Sequence, residues 1–331
     1  MSSPGRRASP PDELGSPPIL SVIIVSWNHG TWLPACVSSL TSRTGGITVE
    51  ILVVDSGSQD RTREIADSLG AKVVACENHG FAYANNRGLE VASGEWVLFL
   101  NPDTLVVEGT LSDLVSRAAS HPRLGIAGVR QLNGDGALEW SIRRSPSPVR
   151  WLSEALGSES WPWRQRSWAG ERVLDSASYT REGRIDWTSG SCMLARTAVV
   201  RRLDGMDEQF FLYSEEPDLS LRARKQGWET WHLPALTIIH YGGNEGTDPR
   251  LAAQLAHARR LYLRKHGSAV GRLVGFVALV LGSALRGIVG RSGRKRACAR
   301  AALATLLGLR PPPFDSQRAG QWSDEMDSAP T

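Results

Sequence analysis

Apolar and polar positions in the first hundred residues switch between two periods. Ile19-Leu20-Ser21-Val22-Ile23-Ile24-Val25-Ser26 is β-branched and apolar nearly throughout, as a strand buried on both faces should be. Val49 to Asp55 and Lys72 to Ala75 read the same way, and so does the run from Glu95 to Leu100. Between them, Trp32 to Ser42 reads as a helix, and a second helix, capped by Ser58 or Asp60, ends at Gly70. A third helical stretch precedes Glu95. Strands alternating with helices imply right-handed βαβ units and a parallel sheet. Further on, Pro217 suits the first turn of a helix that runs to about Gln226 and stops at Gly227. Leu236 to His240 then forms another strand, ahead of Gly242 and Gly243.

From Asn133 to Asp186 the periodicity weakens, and Trp140, Trp151, Trp161, Trp163 and Trp168 gather there, with Trp187 just beyond. Indoles buried against the sheet are favoured over an acceptor-binding aromatic wall. After Asp248 no acidic residue occurs until Asp315, while Arg259, Arg260, Arg264, Lys265, Arg272, Arg286, Arg294, Lys295, Arg296 and Arg300 fall between them. Inside that basic stretch, the apolar run Leu273 to Leu285 falls short of the ~20 residues of a spanning helix. Apolar segments flanked by arginines suit helices lying on the cytoplasmic leaflet. A helical subdomain packed on the core, or a homodimer contact, is the competing use. Nucleic acid is not expected as a partner, because no basic-aromatic platform appears.

Composition adds limits. The chain has 331 residues and a net charge of only +4, which hides the basic C-terminal part. Four scattered cysteines without CxxC spacing read as reduced thiols in a cytosolic protein. Residues 1–18 are rich in Pro, Ser and Gly without an apolar core, and are expected to be a disordered leader rather than a secretory signal. Residues 311–331 are expected to be a loose tail. The chain therefore divides into 1–18, a catalytic unit over 19–248 (19–103 binding nucleotide, 104–248 facing acceptor), a helical segment over 249–310, and the tail.

Candidate chemistry collects at strand ends, where open α/β sheets place ligands. Glu95-Trp96-Val97-Leu98-Phe99-Leu100-Asn101-Pro102-Asp103 delivers one carboxylate, Asp103, past a buried strand. A lone Asp there is commonly a turn residue, yet His240 closes a similar strand before two glycines. Together Asp103 and His240 can hold one Mg²⁺ or Mn²⁺ against a diphosphate. Asp55, in Asp55-Ser56-Gly57-Ser58-Gln59-Asp60, can accept the imide N–H of uracil or thymine, although Asp, Ser and Gly are also ordinary turn residues. Asn85 and Asn86 sit in a helical stretch that Asn disfavours, and Arg87 beside them suits a phosphate or a structural ion pair. Glu215, Glu216 and Asp218 crowd one helix start beside Phe210 and Phe211, where one acid can serve as general base. Neither GxGxxG nor a Walker A loop is present.

Taken in order, Val25 to Asn28, Val53 to Ser58, Asn78 to Gly88, Asn101-Pro102-Asp103, Asp186 to Gly190, Phe210 to Asp218 and His240 resemble the family 2 glycosyltransferases, the bacterial rhamnosyltransferase-like branch in particular. Each motif is weak alone; their shared order over Ile19 to Gly243 is specific. The resemblance implies a GT-A fold, a Rossmann-like nucleotide-binding half on a mixed central sheet. It also implies inverting, metal-dependent transfer from a nucleoside-diphosphate sugar, dTDP-rhamnose in this branch, to a polyprenyl-linked or polysaccharide acceptor of the cell wall. Carried over, Ser26, Asn28, Asp55, Ser58, Asn85, Asn86, Arg87, Asn101 and Asp103 would bind donor, and Trp187, Gly190 and Asp218 would face acceptor. Asp103 stands for the last acid of the DXD motif, and His240 is the second metal ligand. Glu216 takes the place of the family's catalytic Asp, with Glu215 beside it. Two departures stand out: Asn101 replaces the first acid of DXD, and Glu216 is one methylene longer than Asp. The same fold with a UDP-hexose donor, or an inactive nucleotide-binding scaffold, is the alternative. An enzyme of this kind belongs on the cytoplasmic face of the plasma membrane, peripherally attached.

Overall fold

A computed structural model of the chain describes residues 19–242, 248–290 and 292–316. The leader and residues 317–331 lie outside the described residues, as does Gly243. The β-branched runs become β1 (Leu20–Ser26), β2 (Val49–Asp55), β3 (Lys72–Ala75) and β4 (Trp96–Leu100). They alternate with α1 (Leu33–Thr41), α2 (Thr62–Ser68) and α3 (Phe81–Val91). These strands are mutually parallel in the order β3-β2-β1-β4, so β1 and β4 are neighbours although two strands separate them in sequence. Such a reversal of order opens a crevice at the strand ends.

The second half adds β5 (Thr104–Gly109), α4 (Leu111–Ala119), β6 (Leu124–Asn133), β7 (Ile142–Arg143), α5 (Pro148–Ala155), β8 (Gly183–Ile185), β9 (Trp187–Thr188), β10 (Cys192–Arg196), α6 (Thr197–Arg202), α7 (Glu215–Lys225) and β11 (Glu229–His240). Here β10 runs antiparallel to β4 and β6, and β11 runs parallel to β6 and antiparallel to β5 and β8, making one mixed sheet. A short ladder of β7 with β9 stands apart. Two apolar layers cover the sheet. One carries Leu33, Leu40, Ala66, Leu111 and Leu114; the other carries Ala82, Leu89, Val200, Leu219 and Ala223. Every residue of β4 is buried, which explains its unbroken apolar run.

Several boundaries differ from those the sequence suggested. The last strand begins at Glu229, because its first half, though polar at alternate positions, pairs with β6 and β8. Asp60 takes the Thr62 amide at the start of α2, whereas the Ser58 hydroxyl accepts from Asn28 instead. The tryptophans divide: Trp151 is buried, but under the C-terminal helices rather than the sheet, while Trp163 and Trp168 are exposed. Residues 311–316 are not a loose tail, since Phe314 is buried, stacks on Phe211 at 5.4 Å and donates its amide to Gln254.

The basic part forms α8 (Pro249–His266), α9 (Ala269–Val289) and α10 (Gly293–Leu306). At 21 residues, α9 outruns the apolar core read from sequence, because its helix continues through Arg272 and Arg286; by length and composition it could cross a membrane. Its small residues Gly275 and Gly282 sit against Leu263 of α8 and Ala155 of α5. A buried charge cluster completes the seam: Arg259 lies 3.3 Å from Glu154 and 3.6 Å from Glu171, and Trp151 Nε1 donates to Glu171.

Asp218 anchors α7 to this helical unit. Its fully buried carboxylate meets His266 Nε2 at 2.6 Å, Lys265 Nζ at 2.7 Å and Arg222 Nε at 2.7 Å. Burial alone would raise its pKa, but the His266 hydrogen bond and the Arg222 and Lys265 charges outweigh it and hold the group below the usual carboxylate range. A depressed folded pKa adds stability that is complete above the ordinary carboxylate pKa and is lost as pH falls through the folded value. Asp218→Asn should therefore cost about 3–5 kcal/mol at neutral pH, and the gap in melting temperature from wild type should narrow on acidification below about pH 4. A pH-independent gap would show that the ion cluster is not the source.

Candidate active site

The carboxyl ends of β1, β2 and β4 and the final residues of β11 converge on one crevice. Ser26 pairs in register with Asp55 on the neighbouring parallel strand. Both are fully buried, and both keep one polar atom without a hydrogen bond: Ser26 Oγ and Asp55 Oδ1. A buried polar atom left without a partner is costly, and here two such atoms stand side by side at the strand ends. Asp55 is steadied through its other oxygen by Ser58 N at 3.2 Å and Arg63 Nε at 2.5 Å. Asn28, at φ 54°, accepts from Gln59 N at 2.8 Å and donates its own amide to Ser58 Oγ at 2.9 Å, joining the two loops.

Asp103 and His240 come together across the sheet, with His240 Nε2 3.5 Å from Asp103 Oδ1. Tyr241 N donates to the Asp103 carbonyl at 2.9 Å, fixing the two strand ends against each other. His240 Nδ1 lies 3.3 Å from Glu139 Oε2. A carboxylate partner can only accept, so with the proton on Nδ1 toward Glu139 the Nε2 lone pair is available for a cation shared with Asp103. Asp103 Oδ1 is buried and accepts no hydrogen bond. The residues present thus fit a hard cation with nitrogen and oxygen ligands. Among the described residues no three His, Cys, Asp or Glu side chains cluster as a complete metal site, so the remaining ligands would come from a diphosphate and water.

Gly242 makes room for that pair. A Cβ there would stand 2.7 Å from His240 Nε2 and 2.9 Å from Asp103 Oδ2, in the space a shared ligand would use. Gly242→Ala should lower transfer about tenfold or more while leaving the melting temperature within about 1 °C, because both neighbours are side-chain tips. Full activity in Gly242→Ala would remove the cradle from the site.

The acid pair opens α7 after Tyr213 and Ser214, both at φ 71°. Two successive left-handed residues without glycine cost roughly 1–3 kcal/mol each, and such strain gathers at functional turns. Glu215 is buried at 2% exposure, whereas Glu216 is half-buried and accepts the Gly190 amide through Oε1 at 2.8 Å. A Cβ on Gly190 would fall 2.6 Å from that oxygen, so glycine is required for the approach. Next in the chain, the Ser191 carbonyl accepts from Asn101 N at 2.9 Å, and Asn101 Nδ2 lies 3.3 Å from His240 Nε2. Three hydrogen bonds, joined by the backbone of Gly190-Ser191 and by Asn101, thus connect Glu216 to the His240–Asp103 pair.

Other sequence candidates lie elsewhere. Asn86 is spent on the protein, with Nδ2 donating to the Met206 carbonyl at 2.8 Å and Oδ1 accepting from Met206 N. Arg87 pairs with Glu90 at 2.8 Å and Glu208 at 3.2 Å, and stacks on Tyr83. Both residues tie α3 to the loop before α7, which accounts for the Asn86 side chain, while Arg87 keeps its buried Nε without a hydrogen bond. Asp218, expected to face acceptor, is enclosed by three cations as described above. Asn85 keeps Oδ1 buried without a hydrogen bond. Trp187 donates Nε1 to the Arg144 carbonyl at 2.8 Å and lies under the Arg143 guanidinium.

The site also holds residues that sequence reasoning passed over. His29 Nδ1 accepts from Trp27 N at 3.2 Å, and its pKa is lowered by burial against the pull of Asp103 and Asp60. Glu139 orients His240 from a stretch whose periodicity gave no signal. Arg63 reaches Asp55 from α2, a short helix that in sequence reads only as a solvated face.

A family model for "Glycosyl transferase family 2" matches residues 21–174. An N-acetylglucosaminyl-diphospho-decaprenol L-rhamnosyltransferase of Mycobacterium tuberculosis is 31% identical over 264 residues, 74% of this chain and 83% of that protein. This chain belongs to the family 2 glycosyltransferases. Among solved structures, a mannosyltransferase from Pyrobaculum calidifontis in complex with GDP-Man and Mn²⁺ superposes with a TM-score of 0.52 at 17% identity, covering 92% of this chain and 84% of that one. GalNAc-T7 with UDP, GalNAc and Mn²⁺ gives a TM-score of 0.55 at 18% identity, covering 79% and 52%. At those identities the likeness establishes the fold, and the mixed sheet is that of a GT-A glycosyltransferase. This glycosyltransferase is rhamnosyltransferase-like, as its sequence motifs implied.

Proposed function

We propose that this glycosyltransferase moves L-rhamnose from dTDP-rhamnose to a hydroxyl of a diphosphate-linked polyprenyl sugar in cell-wall assembly, with inversion at the anomeric carbon. The observation that supports the reading is the linkage of Glu216, through Gly190-Ser191 and Asn101, to Asp103 and His240, an arrangement suited to one base and one cation on the same crevice. The Mycobacterium tuberculosis relative, named for an L-rhamnosyl transfer to an N-acetylglucosaminyl-diphospho-decaprenol, supports the choice of sugar and acceptor.

In this mechanism the paired Ser26 and Asp55 receive the base, Asp55 Oδ1 accepting the imide N–H of thymine. Glu216 takes the proton from the acceptor hydroxyl as its oxygen bonds to the anomeric carbon. The bond to the β-phosphate oxygen breaks on the opposite face, and that oxygen leaves with the electron pair. A Mg²⁺ or Mn²⁺ held by Asp103 and His240 would supply positive charge beside the leaving diphosphate. One carboxylate base suffices for inversion, and Glu216, rather than the buried Glu215, has the exposure to meet an acceptor. Calorimetric titration with dTDP, UDP and GDP, with and without Mn²⁺, tests the reading. Metal-dependent binding of dTDP supports it; UDP alone would move the donor to a UDP-hexose; no binding of any nucleotide would point to an inactive scaffold.

The cytoplasmic membrane surface is the proposed location. Val270, Leu273, Val274, Val277, Leu281 and Ile288 project from α9 as an exposed apolar face, 73% exposed at Val270 and 65% at Leu273. The opposite face is packed on α5 and α8, so α9 is suited to lie in the interface, with the arginines of α8 and α10 near anionic head groups. Leu273→Glu with Val277→Glu should release the protein from vesicles containing anionic lipid by about tenfold or more. Unchanged co-sedimentation would remove α9 as the anchor.

A further inference from the structure

A cleft of about 400 Å³ opens beside β7 and β8, lined by none of the residues of the crevice described above. Four arginines line it: Arg143, Arg144, Arg181 and Arg184. Three of them are committed to the protein. Arg144 donates to the carbonyls of Gly170, Arg172 and Gln165, Arg181 to that of Ala177, and Arg184 pairs with Glu229 at 3.1 Å. Arg143 differs. Its Nε is buried without a hydrogen bond, and its guanidinium lies 5.7 Å from the centre of the Trp187 ring. The acids of the lining are answered from outside: Glu182 by Arg117 at 3.2 Å, Asp186 by Arg224 at 3.5 Å.

Behind Arg143 lie the buried Glu154 and Glu171, which also face Arg259, with Arg286 beside Glu154. With its Nε unbonded, Arg143 can meet an anion on the cleft side.

His232 supplies the second element. It lines the same cleft, is only 1% exposed, and its Nδ1 has no hydrogen-bond partner. Its Nε2 lies 3.3 Å from the Tyr179 carbonyl, which can only accept, so Nε2 bears the proton and Nδ1 is a bare acceptor. Burial lowers its pKa to about 4, so the ring is neutral. A ligand that satisfies the cleft therefore carries an anion for Arg143 and a hydroxyl or amide N–H for His232.

We propose that this cleft holds the diphosphoryl end of the acceptor, with a phosphoryl oxygen on Arg143 and a donor group of the attached sugar on His232 Nδ1. The proposal rests on the diphosphate-linked acceptor of the preceding section. The placement suits it: Trp187, beneath Arg143, is three residues from Gly190, which holds Glu216, a reach of about 10 Å along extended chain.

The test uses the full chain saturated with dTDP and Mn²⁺, so that the donor site is filled. Two probes are titrated: inorganic diphosphate, and N-acetylglucosaminyl diphosphate carrying a short water-soluble prenyl chain. Arg143→Gln should weaken both about ten- to hundredfold, the worth of a charge-assisted hydrogen bond, with dTDP affinity unchanged; Arg143→Lys should recover part of the loss. His232→Gln should weaken the sugar-bearing probe alone. Equal affinity of both probes for wild type and for an Arg143→Gln protein that still binds dTDP would overturn the proposal. Failure of wild type to bind dTDP would instead overturn the donor reading, and diphosphate binding would still report on the cleft.

Discussion

Glu216→Gln is expected to reduce sugar transfer by about 10²–10⁴-fold, the usual contribution of a positioned general base, while dTDP binds as in wild type. Glutamine is nearly isosteric with glutamate, and its side-chain oxygen can still accept the Gly190 amide, so the turn at Tyr213 and Ser214 should keep its shape. What it cannot do is take a proton from the acceptor. Glu215→Gln should show the contrasting pattern, because Glu215 is buried at the base of the helix. Its loss should appear in the melting temperature at least as much as in the rate. Transfer that survives in Glu216→Gln and fails in a folded Glu215→Gln would reverse the assignment of the base.

Asp103→Asn should abolish the dependence of dTDP binding on Mn²⁺ and lower transfer at least about 100-fold, since even groups that only orient a metal ligand cost 10–100-fold when removed. Asn101 makes this test sharp. With an amide where many relatives of this fold place an acid, Asp103 is the one carboxylate that β4 delivers to the crevice. Glu139→Gln should act in the same direction but more weakly. An amide at position 139 can donate to His240 Nδ1, favouring the tautomer that puts the proton on Nε2 and removes its lone pair. If chelation and Asp103→Asn both left dTDP affinity unchanged, no cation would be part of the donor site.

Much of this molecule was legible in its sequence because the signals were local. Strand runs such as Val22 to Ser26 and Trp96 to Leu100 are apolar at successive positions only if both faces are covered, so the parallel β1–β4 half of the sheet, with helices on either side, followed directly, whereas the antiparallel half did not. The positions of Asp55, Asp103 and His240 at strand ends were equally readable, since a strand end is a feature of the chain itself. Gly190 and Glu216 were both marked by their motifs, and the fold joins them by one hydrogen bond.

Where the reading failed, the deciding partner was distant in sequence. Asn86, Arg87 and Asp218 have the chemistry of ligand-binding groups, and nothing in their neighbourhood tells that Met206, Glu208 or Lys265 will claim them. Likewise, no periodicity reveals that Glu139 turns to His240, or that Arg63 turns to Asp55. Phe314, in a stretch rich in proline, reads as loose until Phe211 is placed beneath it. By itself the sequence determined the order of strands and helices over the first hundred residues, the family and the acids at the strand ends, because these depend on side-chain period and on residue type at fixed spacing. Only the tertiary structure decided which polar groups are satisfied and which are left open, as at Ser26, Asp55, Arg143 and His232. A buried polar atom is costly or useful according to what the rest of the chain brings within hydrogen-bond distance of it.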